Sequence, residues 1–296
     1  MELAFHLKNP EQKNMRDTFP QDLSKFYPKN CFENSFSDCQ FPESYNRIYI
    51  GNEFCLHRIP VLNQLKEFCR FARDRKLKIT LLTPVMTDKG LEKTAPLFDY
   101  LAKDCSKAEV VVNDWGLLLF LKKNYPKFVL GAGRLLNKGF KDPRLKKQDN
   151  VFTSQNNFLR DSTFQNHGFQ EKIIKLGISC LEQDLLPYSD STQLTELKNN
   201  PNLKYSFYFP FGYITTGRTC LTATLNQSAN QRFIPPAKCS GPCNERSFQL
   251  ESKDFSFRIF QNGNTLFYLY KLSVLNSLIE NAKYKKIRLV YQGFIM

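Results

Sequence analysis

Short apolar runs recur along the chain and are separated by polar stretches. Several are nearly continuous in hydrophobic residues, which is typical of strands buried on both faces of a parallel sheet. We predict strands at Leu3–Leu7, Arg47–Ile50, Lys78–Leu82, Glu109–Asn113, Phe128–Leu130, Ile173–Ile178, Lys204–Pro210, Phe257–Phe260 and Ile287–Tyr291.

Helical spacing lies between these runs. It is clearest over Val61–Arg75, where Leu62, Leu65, Phe68, Cys69 and Ala72 recur at intervals of three or four and charges occupy the other face. Similar patterns predict helices over Gly90–Lys103, Trp115–Lys123 and Leu272–Ala282. The alternation predicts an α/β fold, and we expect an irregular or incomplete (β/α) barrel of the TIM type with long loops. A doubly wound open sheet has the same pattern and stays the alternative.

Three segments interrupt the alternation and are expected to be insertions or loops: Asn9–Tyr45, Lys138–Gln170 and Thr222–Pro236. No shift in composition divides the 296 residues, of which 42% are hydrophobic. We therefore predict a single domain over residues 1–296, with a divergent amino-terminal segment over 1–45.

No window approaches the roughly 20 apolar residues of a membrane span, and the amino terminus lacks a basic segment followed by an apolar one. We expect a cytoplasmic protein. The formal charge of +14 permits binding to nucleic acid or acidic partners. A solvated lysine-rich surface explains the same charge. The densest basic stretch contains Lys138, Lys141, Arg144, Lys146 and Lys147.

Nine cysteines are scattered along the chain without a compact framework, so thiols are expected rather than disulfides. We interpret Cys69 and Cys105 as small buried hydrophobic residues of helices. Cys31 and Cys39 lie in the irregular amino-terminal segment, and Cys180 is ambiguous.

The other four cysteines lie in settings that suit metal ligands. Cys55 follows a predicted strand, Cys220 follows a long apolar segment and a turn, and Cys239 with Cys243 flank a loop containing Gly and Pro. Structural zinc sites more often use two close pairs, and here only one pair is close. An iron–sulfur cluster accepts dispersed cysteines. Spacing alone leaves isolated cysteines as the alternative.

The residues around these cysteines resemble the U32 peptidase-like family, most closely its short UbiV-type branch. Residues 51–58, Gly-Asn-Glu-Phe-Cys-Leu-His-Arg, resemble the branch's Gly-Glu-x-x-Cys-x-x-Arg segment, with the Glu displaced by one position. Residues 217–223 and the pair Cys239 and Cys243 resemble its Ala-Arg-Cys-Phe-Thr-Ala and Cys-x3-Cys elements. Residues 261–263 and 113–116 are similar to its Leu-Asn-Gly and Asn-Asp-Leu-Gly.

This resemblance implies a barrel-like protein that holds a 4Fe–4S cluster on Cys55, Cys220, Cys239 and Cys243. It further implies oxygen-independent hydroxylation in ubiquinone biosynthesis, as a heterodimer with a UbiU-like second member of the family and with prephenate as the oxygen donor. Longer relatives hydroxylate bases of ribosomal or transfer RNA, which is the first alternative. A non-catalytic iron–sulfur subunit is the second.

Departures from the branch point to a different substrate as a further alternative. His57 replaces a residue that is more usually basic, and the gap between Cys220 and Cys239 is longer. Residues 133–137 and 142–144 have no clear counterpart in the branch.

Several other residues are candidates for the chemistry. Arg58 and Arg218 flank proposed ligands, where a guanidinium offsets cluster charge. Glu53, His57 and Asp114 are candidate catalytic groups for proton transfer, although the first two equally suit orienting hydrogen bonds and Asp114 equally suits a helix cap.

Two arginines, Arg134 and Arg144, are candidates for binding a dicarboxylate donor, although surface solvation explains Arg144 as well. Trp115 is expected to pack rather than to stack on a substrate.

Classical peptidase chemistry has little support. The chain has neither a Gly-x-Ser-x-Gly elbow nor a His-Glu-x-x-His motif, and it has only three histidines. A phosphate-binding loop is also unsupported, because Gly131-Ala132-Gly133 lacks the later Gly and Lys of such loops.

Overall fold

The computed structural model describes residues 2–8, 23, 25–27, 45–105, 108–144, 161–187, 200–236, 238–284 and 287–293. Cys31, Cys39, Lys146 and Lys147 lie outside these ranges.

Eight parallel strands close into a barrel, as the sequence predicted. They are β1 Glu2–His6, β2 Arg47–Gly51, β3 Lys78–Leu82, β4 Glu109–Val112, β5 Val129–Ala132, β6 Ile178–Gln183, β7 Lys204–Phe209 and β12 Ile287–Tyr291. Strand β1 pairs with both β12 and β2, which closes the circle. Six of the strands each contribute one residue to a buried cluster inside the barrel: Ala4, Tyr49, Leu82, Val111, Tyr208 and Val290.

Helices cover the outside of the barrel. They are α1 Leu62–Asp74, α2 Asp88–Asp104, α3 Trp115–Asn124, α4 His167–Lys175 and α5 Leu272–Tyr284. Helix α1 buries four of the five positions that its periodicity marked, Leu65, Phe68, Cys69 and Ala72. Leu62 is half-buried, and Phe71, which the pattern did not mark, is buried as well. Among the described residues, no helix is both long and apolar enough to cross a membrane.

The predicted strand at Ile173–Ile178 is wrong. Ile173 lies in α4, which Asn166 caps through a hydrogen bond accepted from the Phe169 N–H. Gly177 has a φ of +87°, a left-handed conformation that suits glycine just beyond a helix. The strand begins only at Ile178, so one apolar run contains the end of a helix and the start of a strand.

A second, four-stranded sheet forms outside the barrel. The sequence did not predict this sheet, although the predicted strand at Phe257–Phe260 overlaps one of its strands. Its antiparallel strands are β8 Phe211–Thr216, β9 Phe248–Leu250, β10 Ile259–Asn262 and β11 Thr265–Leu269, in the order β8-β11-β10-β9. The chain leaves the barrel at the cis peptide bond between Phe209 and Pro210 and enters β8 directly. The apolar run from Tyr205 to Tyr213 therefore belongs to two sheets.

The second sheet is fastened to the carboxyl ends of the barrel strands, and we call it the cap sheet. The Tyr213 hydroxyl donates to the Arg134 carbonyl oxygen at 2.8 Å. The Tyr270 hydroxyl accepts from the Leu185 N–H at 3.0 Å, just after β6. These hydrogen bonds place the cap sheet over the barrel end where sites of such folds are built.

Candidate metal centre

Cys55 lies in a tight turn after β2. The Asn52 side-chain oxygen accepts hydrogen bonds from the N–H groups of Phe54 and Cys55, both at 2.9 Å. Such a turn holds the chain locally, since an Asn side chain replaces a backbone acceptor. A short helix, Leu56–Arg58, follows directly. The turn and the helix together hold the Cys55 backbone at the carboxyl end of a barrel strand.

The other three cysteines belong to the cap sheet's connections. Cys220 follows β8 and precedes a short helix at Thr222–Thr224. Cys239 and Cys243 lie between that helix and β9, on either side of Gly241, whose φ is +78°. The Gly241 N–H donates to the Cys239 sulfur at 3.4 Å, which fixes the loop around this side chain.

The turn between β10 and β11 joins these loops. The Asn262 side chain donates to the Cys243 carbonyl oxygen at 2.9 Å and accepts from Arg58 at 3.0 Å. The Asn264 side chain donates to the carbonyl oxygens of Phe54 at 2.7 Å and Gly217 at 2.6 Å. One hairpin turn thus holds the backbone next to Cys55, the backbone three residues before Cys220, and Cys243 itself.

In the sequence, Asn262 and Gly263 stand out only as part of the resemblance to the U32 family. The two-residue loop between the strands is Gly263-Asn264, and a Gly-Asn pair between apolar runs is a local signal for a hairpin turn. Asn264 was missed altogether, because nothing in its local sequence shows that it reaches loops more than 40 residues away.

All four cysteines line one cavity of about 160 Å³. His57, Arg58 and Arg218 line it as well. Gly263 closes one side, since a Cβ at that position would lie 3.4 Å from the Cys243 sulfur. The structure therefore brings together seven of the eleven residues that the sequence analysis singled out.

The four thiols are a donor set that suits a metal centre. A tetrahedral zinc with Zn–S bonds of about 2.3 Å holds its sulfurs about 3.8 Å apart. In the part of the chain that is described, no three of these four sulfurs lie within 4.8 Å of one another. In donor chemistry, four thiols around one cavity fit an iron–sulfur cluster.

Burial raises the pKa of the Cys55 thiol and of the Cys220 thiol. The other cysteines of the set add to this, because thiolates close together repel one another. For Cys55, the hydrogen bond from the His57 backbone and the charge of Arg58 act in the opposite direction. A bound cationic core would remove the repulsion and hold the thiolates deprotonated.

Glu53 points away from the cavity, although it is two residues from Cys55. Its carboxylate forms an ion pair with Arg134 at 2.6 Å, and the same guanidinium pairs with Asp184 at 3.0 Å. Arg134 is 1% exposed, and its Cζ lies 3.6 Å from the centre of the Tyr208 ring. The Arg134 guanidinium therefore joins residues that follow two barrel strands, and the Arg134 carbonyl oxygen holds Tyr213 of the cap sheet.

The remaining candidates also lie outside the cavity. The Asp114 carboxylate caps α3 by accepting from the Leu117 N–H at 2.7 Å, and it accepts from the Met86 N–H at 3.1 Å. Arg144 is exposed and pairs with Asp142 at 2.5 Å. Trp115 packs edge-on against Phe169, with ring centres 6.2 Å apart, and keeps part of its surface exposed.

A second group of potential ligands lies inside the barrel. Glu109, Cys180 and Glu182 place their ligand atoms within 4.8 Å of one another, a set whose chemistry suits a metal ion. The Arg288 guanidinium already lies 2.6 Å from Glu109 and 3.8 Å from Glu182. A protein cation therefore compensates these carboxylates, and Cys180 is part of a buried polar network.

No family model matches the chain, and no curated protein matches it. Three solved structures are similar. A U32 peptidase has 11% identity, coverage of 99% of this chain and 93% of that chain, and a TM-score of 0.41. A phosphodiesterase of Oleispira antarctica, solved with its product sn-glycerol-3-phosphate, has 11% identity, coverage of 71% and 84%, and a TM-score of 0.36. An uncharacterized protein of B. cereus has 12% identity, coverage of 95% and 96%, and a TM-score of 0.26. With these identities and TM-scores, none of the three carries an argument about the activity of this chain.

Proposed function

We propose that this protein is an iron–sulfur protein of the U32 type that acts in an oxygen-independent hydroxylation. The four ligands are Cys55, Cys220, Cys239 and Cys243. The observation that carries the proposal is their position. The segment after β2 and the connection between β8 and β9, both tied to one hairpin turn, bring four cysteines to a single cavity. The motifs around the same cysteines, which resemble the UbiV-type branch, support the hydroxylation.

A bound 4Fe–4S cluster would supply one-electron transfer at this site. The chain's own residues set its surroundings. Arg58 is half-buried and donates to Asn262, and Arg218 is exposed. Both guanidiniums offset the negative charge of four thiolates. The His57 ring lies 3.0 Å from the Pro236 carbonyl oxygen, which orients the imidazole at the cavity edge.

Metal and sulfide analysis of anaerobically purified protein tests the proposal. We expect a brown protein with iron and acid-labile sulfide, and we expect Cys239→Ala or Cys243→Ala to lose both. Cys69→Ala is the matched control, because Cys69 is buried on α1 away from the cavity. A colourless wild-type protein, or one that holds zinc in place of iron, would contradict the proposal.

The proposed setting is ubiquinone biosynthesis, in a heterodimer with a second U32-family protein of the UbiU type and with a prephenate-like oxygen donor. Arg134 is unsuited to binding that donor because it is buried and paired. Arg144 remains a candidate, since it lines a separate cavity of about 470 Å³ together with Lys141. Co-purification of a UbiU-like partner under anaerobic conditions would test the heterodimer.

RNA base hydroxylation is the second candidate function, and the charge of +14 favours it. Salt-sensitive RNA binding that weakens when Lys146 and Lys147 are neutralised would support it. A third candidate is a non-catalytic partner subunit. It would be supported if pathway activity persisted in a variant that had lost its cluster.

A further inference from the structure

The segment between Cys220 and Pro236 exposes apolar side chains beside the cysteine cavity. Phe233 is 80% exposed and Ile234 is 60% exposed, and Leu221 and Leu225 are exposed as well. Single exposed apolar residues are ordinary on soluble proteins, whereas a contiguous group marks an interaction site. We call residues 221–234 the rim segment.

The rim segment is folded back on itself and fixed at both ends. The buried Thr224 hydroxyl lies 3.0 Å from the Cys220 carbonyl oxygen and 3.3 Å from the Arg232 carbonyl oxygen. Arg232 donates from its Nε to the Gln227 carbonyl oxygen at 3.1 Å. These bonds place Phe233 beside the turn that carries Leu225. Cys220 and Pro236, at the two ends, both line the cavity.

The charge around the rim segment has one sign. From Gly217 to Asn244 the chain carries Arg218, Arg232 and Lys238 and neither Asp nor Glu. All three basic side chains are exposed. An apolar centre with arginines around it is the composition of a protein–protein interface, whereas a nucleic-acid surface is dominated by phosphate contacts. A partner that fits this surface is an acidic protein.

We propose that the rim segment docks an acidic one-electron carrier protein, which reduces the cluster held by the four cysteines. This inference rests on the proposed function, because it requires the cluster. One electron leaves the reduced centre of the carrier and enters the cluster, so the carrier is oxidised as the cluster is reduced. A partner at the rim segment lies beside the exposed side of the cavity, where Arg218 and His57 are located. Complexes of this class are small and steered by charge.

Stopped-flow reduction of the anaerobic, cluster-loaded protein tests the proposal. The probe is a reduced plant-type 2Fe–2S ferredoxin, a small acidic carrier of low potential. We expect Phe233→Asp and Arg232→Glu each to slow cluster reduction by ferredoxin about tenfold or more, since each places negative charge against an acidic partner. Reduction by dithionite should be unchanged. The wild-type rate with ferredoxin should fall as salt is added.

Two matched controls lie on α3, distant from the rim segment in sequence. Leu119→Asp places the same charge at an apolar position that is 59% exposed, and Lys122→Glu reverses an exposed charge. Neither should slow the reaction with ferredoxin.

Several results would overturn the docking proposal. The first is a wild-type cluster that ferredoxin does not reduce. The second is that Phe233→Asp and Arg232→Glu are both reduced by ferredoxin at the wild-type rate. The third is that the α3 variants lose as much of the reduction rate as the rim variants do. If Arg232→Glu instead weakens RNA binding and leaves the ferredoxin reaction intact, the surface belongs to nucleic acid. A protein without iron and sulfide would overturn this inference together with the proposed function.

Discussion

Residues close together in sequence have different roles in this protein, and Glu53 and Cys55 are the clearest case. The Cys55 side chain lines the cavity, whereas Glu53 is directed to Arg134 at the junction of barrel and cap sheet. From the sequence, both residues were candidates for the site, because the sequence gives their spacing along the chain but not the direction of their side chains. Arg134 was expected to bind a substrate, and the structure places it between two carboxylates of the protein.

Replacing Arg134 tests that structural role. Arg134→Met should lower the free energy of unfolding by about 3 to 5 kcal/mol, because it leaves the carboxylates of Glu53 and Asp184 buried without their cation. Urea denaturation measures the loss. Arg144→Met is the control, since its ion pair is exposed, and it should cost about 1 kcal/mol at most. Equal costs for the two variants would contradict the role we assign to Arg134.

At the scale of elements, turns and loops rather than strands position the cysteines of the candidate centre. The turn between β10 and β11 touches the loops that carry Cys55, Cys220 and Cys243 through Asn262 and Asn264. Gly263, at its centre, has a φ of +65° and lies directly against Cys243. This position needs glycine for its conformation and for the space beside the sulfur.

Gly263→Ala should therefore reduce the iron content per protein and speed its loss in air. The left-handed conformation costs an alanine about 1 to 2 kcal/mol, and the added methyl crowds Cys243. Gly177→Ala is the matched control: its φ is +87°, and its Cβ would meet only the end of the Lys122 side chain, at 4.0 Å. Iron loss in the control equal to that in Gly263→Ala would show that backbone strain alone causes the effect.

At the scale of the whole molecule, a network of ion pairs inside the barrel links five of its strands. Glu2, Arg47, Glu109, Glu182 and Arg288 come from β1, β2, β4, β6 and β12, and they meet inside the barrel. Burial and the neighbouring Glu109 raise the pKa of Glu182 to about 7, with Arg288 acting against them. By contrast, the charges of Arg288 and Arg47 lower the pKa of Glu2 to about 2, against the effect of burial.

The raised pKa of Glu182 gives stability a pH dependence with a definite sign. The folded state holds the Glu182 proton more tightly than the unfolded state, so this contribution is full below about pH 4.5 and is lost as the pH rises through about 7. Relative to Glu182→Gln, the wild type should become less stable between pH 5 and pH 8. Urea midpoints of both proteins at the two pH values measure the difference.

Taking the difference between the two proteins removes the opposing contribution of His6, whose pKa burial lowers to about 3 and whose effect is shared by both. A constant difference between wild type and Glu182→Gln across this range would show that Glu182 keeps its ordinary pKa.

The sequence by itself determined the alternation of strands and helices and singled out the four cysteines. Local patterns were sufficient for the alternation, because burial on both faces leaves a continuous apolar run and helix burial leaves a stripe. The structure decided that the sheet closes into a barrel and that the four cysteines line one cavity. Only the tertiary structure showed the cap sheet, the contacts of the turn at Asn262, Gly263 and Asn264, and the separation of Arg134 from the site. These depend on contacts between residues that lie far apart in the chain, and side-chain direction after a strand end has no signature in local sequence.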